Sequence, residues 1–121
     1  MYYQDWLMSQ IEGMIKMIMR MFFKKDIPSY EIVNELNKTD TDKLYSEIDT
    51  LLKLNKINEA ENLLFEKINT DDINYLKIAL EFYSRLNSLG DEQLQTGGFS
   101  RDEIKSGLDD IVASFGINIM G

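Results

Sequence analysis

The sequence contains neither cysteine nor histidine, and these two absences exclude more chemistry than any motif in it supplies. Disulfide frameworks, thiolate nucleophiles, Cys/His zinc sites and serine–histidine triads are all ruled out. The side chain that usually moves protons near neutral pH is missing as well. Proline occurs once and glycine seven times in 121 residues, so few breakers interrupt the chain. No segment alternates strictly between apolar and polar residues, which argues against a sheet. Long uncharged runs are also lacking: Glu12, Lys16 and Arg20 interrupt the oiliest stretch, so it does not read as a spanning helix. Asp5 near its start, and cations at its end, are the wrong arrangement for a signal peptide.

What is present is an apolar N-terminus on an acidic body. Six of the seven methionines, Met1, Met8, Met14, Met17, Met19 and Met21, fall in the first 25 residues. Those residues carry Lys16, Arg20, Lys24 and Lys25 against Asp5 and Glu12, a net +2 that leaves −10 of the total −8 to the remainder. An acidic body without a basic stripe repels phosphate backbones, so no nucleic-acid partner is expected. At this length one domain, residues 1–121, is the expectation.

Helical spacing organises the rest. Residues 3–24 predict one long helix within an amphipathic segment 1–25. Its polar residues Asp5, Ser9, Glu12, Lys16 and Arg20 share a narrow stripe, while apolar residues fill an arc of roughly 200°. An ordinary surface helix buries about half that arc, so this one needs cover from two sides. A short helix is expected over about 28–37, opened by Asp26 and Pro28, with Tyr30, Ile32, Val33 and Leu36 on its apolar side. Residues 39–69 read as a helical hairpin: Thr39 to Asp42 fits a capping box, with Asp40 or Thr41 as alternative caps, Asn55-Lys56 breaks the first helix, and Asn58 with Glu61 can open the second. In residues 70–116 a helix begins near Thr70 or Asp71 and stops near Gly90, GDEQLQTGG is a loop, and FSRDEI opens a last helix ending at Gly116. There Ser100 is the cap, Glu103 completes the box, and Phe99 staples to Ile104. The fold class is therefore all-α.

The run LYSEIDTLLKLNKINEAENLLFEKI, residues 44–68, resembles a tetratricopeptide repeat. With Ala60 on that family's small second-helix position, Leu44 and Leu51 take first-helix packing positions, Leu64 takes the large second-helix position, and Asn55 stands where the turn usually has glycine. The pair that follows departs from the pattern because its loop is too long. The resemblance implies a long N-terminal helix, a short helix and two tetratricopeptide-like hairpins, the second degenerate. Over nearly its full length, through the opening MYYQDWLMSQIEGMI and the later LLKLNKINEAENLLF, the chain is similar to a small family of uncharacterised proteins of low-GC Gram-positive bacteria. That similarity implies an intracellular, cytoplasmic protein and brings no catalytic residues with it.

Candidate chemistry is sparse. The acidic pairs Asp40/Asp42, Glu59/Glu61, Asp71/Asp72 and Asp109/Asp110 lack the glycine and closing glutamate of a calcium loop and the histidines of a di-iron bundle, so capping and solvation explain them better. Gly97-Gly98 lacks the lysine of a phosphate loop. Tyr45, Tyr75, Phe82 and Tyr83 could line a peptide groove, but their spacing suits a core. No cofactor, metal or catalytic residue is assigned. The expected function is protein–protein interaction, most simply as a homodimer through Leu7, Ile11, Met14, Ile18 and Phe22 of the first helix, with attachment to a membrane surface through Lys16, Arg20, Lys24 and Lys25 as the less favoured alternative and a carboxylate-based enzyme as the least favoured. Charging Ile11 or Ile18 should then give monomer or aggregate in light scattering, and charging Glu12 or Arg20 should not.

Overall fold

A computed structural model describes the backbone of residues 2–117 and the side chains of 3–117; Met1 and residues 118–121, which the domain assignment included, lie outside the described residues. Six helices, and no strand, occur among the described residues: α1 Tyr2–Phe23, α2 Asp40–Lys53, α3 Ile57–Lys67, α4 Ile73–Asn87, α5 Asp91–Thr96 and α6 Arg101–Ser114. None of them is long and apolar enough to cross a membrane.

Local chemistry sets most of the helix boundaries. Thr39 caps α2 through a reciprocal box, its hydroxyl accepting from the Asp42 N–H while the Asp42 carboxylate accepts from the Thr39 N–H. At the other end Asn55 adopts φ 57°, and the N–H groups of Asn55 and Lys56 reach back to the carbonyls of Leu52 and Leu51. This is a Schellman stop, with asparagine tolerating the left-handed turn that glycine more often fills. The same closure ends α6, where Gly116 sits at φ 75° and the Ile117 N–H donates to the Val112 carbonyl. Ser100 caps α6 by accepting from the Glu103 N–H, and its hydroxyl in turn donates to the Glu103 carboxylate. Phe99 and Ile104, the expected staple, are both buried.

Four boundaries differ from the sequence expectation. Residues 28–37 form no helix. The Tyr30 hydroxyl is tied to Asp42 and to Thr41 at 2.8 Å, and its ring lies 4.9 Å from that of Tyr45, which lays this segment over the start of α2. Beyond it the Leu36 N–H donates to the Asn34 side chain, a local turn that competes with helix, and Val33 and Leu36 are almost wholly exposed. With no neighbour to bury its apolar side, a helix there has nothing to pack against. In GDEQLQTGG, expected as a loop, Asp91–Thr96 coil into α5, whose one buried residue, Leu94, pins it to the core. The third helix starts at Ile57 without a side-chain cap, so Asn58 is inside it; the Asn58 amide instead donates to the Gly98 carbonyl at 3.2 Å and fastens the glycine loop. The fourth starts at Ile73, capped by Asp72 rather than by Thr70 or Asp71.

The centre of the molecule is α4, not α1. It packs against α1, α6 and α2, and Leu76, Ile78, Ala79, Leu80, Phe82, Tyr83 and Leu86 are all buried. A helix enclosed on so many sides must have its polar groups answered by its neighbours. At its C-terminus the Arg101 guanidinium, 3% exposed, donates to the carbonyls of Asn87 at 2.7 Å and Leu89 at 2.6 Å. From the same turn the Asn87 amide donates to the Met8 carbonyl of α1 at 3.1 Å. One cluster of polar atoms therefore ties α6, α4 and α1 together. Replacing Arg101 with Met leaves these carbonyls without their charged donor and should cost about 2–4 kcal/mol; Arg101→Lys, with one donor head in place of a fork, should lose less. Urea unfolding measures both, as a fall in midpoint.

Candidate interaction surface

The inner face of α1 is formed by Leu7, Ile11, Ile15, Ile18 and Met19, all buried in the chain's own core against α4 and α6. Three of the five expected interface residues, Leu7, Ile11 and Ile18, are thus core residues. Ile11 and Ile18 are 0% exposed, so charging either would unfold the monomer rather than report on association. Met14 is half-buried at the edge of the core, and Phe22, 43% exposed, lies at the surface.

A second apolar face, rotated roughly a third of a turn around α1, is uncovered. It carries Tyr3, Trp6, Met17 and Met21, with Trp6 at 55% and Met21 at 58% exposed, and Gln10 and Gly13 between them. The Tyr3 and Trp6 rings adjoin at 6.0 Å, and the Tyr3 hydroxyl bonds to Asp102 at the start of α6. At the opposite end Met21 and Phe22 open into a groove of about 520 Å³ shared with Ile73 of α4 and with Phe115 and Ile117 beyond α6. The apolar arc was evident in the sequence. Which part of it faces inwards was not, because Leu7, Ile11 and Ile18 are as apolar as Trp6, Met17 and Met21.

Lys16, Arg20, Lys24 and Lys25, the cations of the membrane alternative, are exposed. Arg20 pairs with Asp26 at the surface, an arrangement worth little in water. The acidic pairs are dispersed. Asp42 closes the Thr39 box at the start of α2, Asp72 caps α4, and Asp109 pairs with Lys105 at 2.7 Å. No group of three or more metal-ligating side chains occurs among the described residues. Phe82 and Tyr83 are core residues, while Tyr45 and Tyr75 are half-buried at its edge.

A family model described as a family of unknown function, DUF6483, matches residues 1–116. The chain belongs to that family. No curated protein matches it, and no solved structure does. The DUF6483 match takes in all six helices, so both faces of α1 belong to the shared unit.

Two carboxylates with raised pKa values sit within this DUF6483 fold, half-buried Glu61 of α3, bonded to α4, and buried Glu81 of α4 itself. Glu61 accepts from the Tyr83 hydroxyl at 2.7 Å beneath Gly107, where a Cβ would collide with both partners. Burial pushes the Glu61 carboxyl above its ordinary range, against the opposing effect of the Tyr83 bond, and the nearby charges of Glu103 and Asp110 add to the rise. Tyr83 is pushed up by burial first and by Glu61 second. Glu81 is also raised, chiefly by burial; it accepts from Tyr45 at 3.2 Å, and Arg85 lies 3.8 Å away. Each polar pair joins α4 to a neighbouring helix, and the Tyr45–Glu81 pair also lines an open groove of about 280 Å³ with Tyr30 and Arg85.

Because the folded state raises the Glu61 pKa, it holds that proton more tightly than the unfolded chain does. The associated stability is complete below the ordinary glutamate range and is lost as pH rises through the raised value. Glu61→Gln keeps an acceptor for Tyr83 and removes the ionisation. In thermal melts from acid to neutral pH the wild type should therefore lose stability relative to the variant, and parallel curves would refute the assignment.

Proposed function

We propose that this protein is an interaction module that docks a protein partner on the uncovered face of α1, most simply a second copy of itself. The observation that carries the reading is that Trp6, Met17 and Met21, 55%, 41% and 58% exposed, line one side of a helix whose other side is already committed to the core. Apolar surface of this kind gains about 25 cal/mol per Å² on leaving water. Methionine and tryptophan are well suited to it, the first by conforming to irregular shapes and the second by anchoring.

The hairpin α2–α3, joined by the Asn55 turn, supports a tetratricopeptide-like reading in which paired helices act as a scaffold for the docking helix. Of the aromatics that could line a peptide groove, Phe82 and Tyr83 of α4 are sealed in the core and Tyr45 and Tyr75 are half-buried at its edge, which favours α1 over the hairpin as the contact surface.

Light scattering on the wild type over micromolar concentrations should show dimer increasing with concentration. Met17→Glu and Trp6→Glu should shift the protein to monomer with stability unchanged to within about 0.5 kcal/mol, since both side chains lie at the surface. A wild type that stays strictly monomeric overturns self-association.

A further inference from the structure

The geometry of α1 points to how the second copy is seated, an inference that rests on the reading above. We infer that two α1 helices pack antiparallel across a two-fold axis passing between Gly13 and Met14.

Three features of the exposed face carry this. Its positions Trp6, Gln10 and Gly13 mirror Met21, Met17 and, at the edge of the face, half-buried Met14, each pair summing to the same register, so a reversed copy presents a matching profile. Self-complementarity of this kind is what a two-fold interface requires. At the centre, a Cβ placed on Gly13 would meet nothing within 4 Å, so the waist of the helix is open to close approach, while the bulk of Trp6 sits at one end opposite the flexible Met21 of the other copy. Charge then chooses the direction. At the N-terminal end of the face Asp102 of α6 accepts from Tyr3, whereas at its C-terminal end exposed Arg20 flanks the face and exposed Lys24 follows the last turn of the helix.

An antiparallel pair brings Asp102 of one copy beside the cations at the end of the other copy's α1 and sets Arg20 next to the Trp6 ring, a cation–π contact. It also opposes the two helix dipoles. A parallel pair would place the cationic ends side by side. A lipid surface fits less well, because Asp102 lies beside Tyr3 at one end of the face and Asp26 neutralises Arg20 at the other, so an anionic bilayer meets acids at both ends.

The chain has no cysteine, so introduced thiols report the arrangement without background. Gln10→Cys and Met17→Cys are made separately in the full chain; both positions are exposed, and unchanged melting temperatures confirm that each variant folds. In the antiparallel pair residue 10 lies level with residue 17 of the other copy, while like residues stand about 10 Å apart along the axis, beyond the reach of a disulfide. Mild oxidation of the mixture should give the mixed disulfide in roughly ten-fold excess over either single-variant product. Efficient disulfide formation within Gln10→Cys alone would overturn the inference in favour of parallel packing. A wild type that dimerises in light scattering, with neither disulfide forming, would overturn it by placing the dimer contact elsewhere, with self-association intact. A monomer at all concentrations, or a monomer that sediments with phosphatidylglycerol vesicles, would overturn both the inference and the reading beneath it.

Discussion

The enclosure of α4 is the constraint on which the rest of the structure depends. A helix with neighbours on most sides gains the apolar burial that a chain of this size needs, but its polar atoms can then be answered only by protein. The Arg101 guanidinium meets the carbonyls at its end, Asn87 reaches across to α1, Tyr83 is answered by Glu61 of α3, and Glu81 by Tyr45 of α2. Each bond joins α4 to a different helix. These directional contacts fix the angles at which α1, α2, α3 and α6 surround it, which burial alone would not. The raised pKa values of Glu61 and Glu81 are the electrostatic cost of building such ties from carboxylates inside the fold.

This arrangement divides α1 in two. Because α4 and α6 both approach it from one side, Leu7, Ile11, Ile15, Ile18 and Met19 are sealed, and an adjoining strip of equal oiliness is left uncovered. The connection over residues 24–39 could have closed over that strip. It runs instead across the start of α2, held by Tyr30 against Thr41 and Asp42.

Much of the local structure was legible because its causes lie within a few residues. The caps at Thr39 and Ser100, the Asn55 stop, the Phe99–Ile104 staple and the length of α1 all follow from side chains that bond or pack within one turn. Misreadings arose where the deciding partner was remote. The apolar side of 28–37 looked helical by spacing, but no neighbour receives Val33 and Leu36. α5 exists because Leu94 reaches the core, which a segment of glycine and glutamine does not advertise. Asn58 is a strong capping residue by type, yet its amide is taken by Gly98, forty positions along the chain.

By itself the sequence determined that the protein is helical, that it lacks the side chains for thiol or imidazole chemistry, and that its first helix carries more apolar surface than one neighbour can cover. Those properties are set by residue type and spacing, which are local. Only the tertiary structure decided that α4 is the hub and that Leu7, Ile11 and Ile18 turn inwards while Trp6, Met17 and Met21 remain in water. Apolar residues around a helix are chemically equivalent until neighbouring helices choose a side, and here that choice is made by the polar contacts that hold α4 in place.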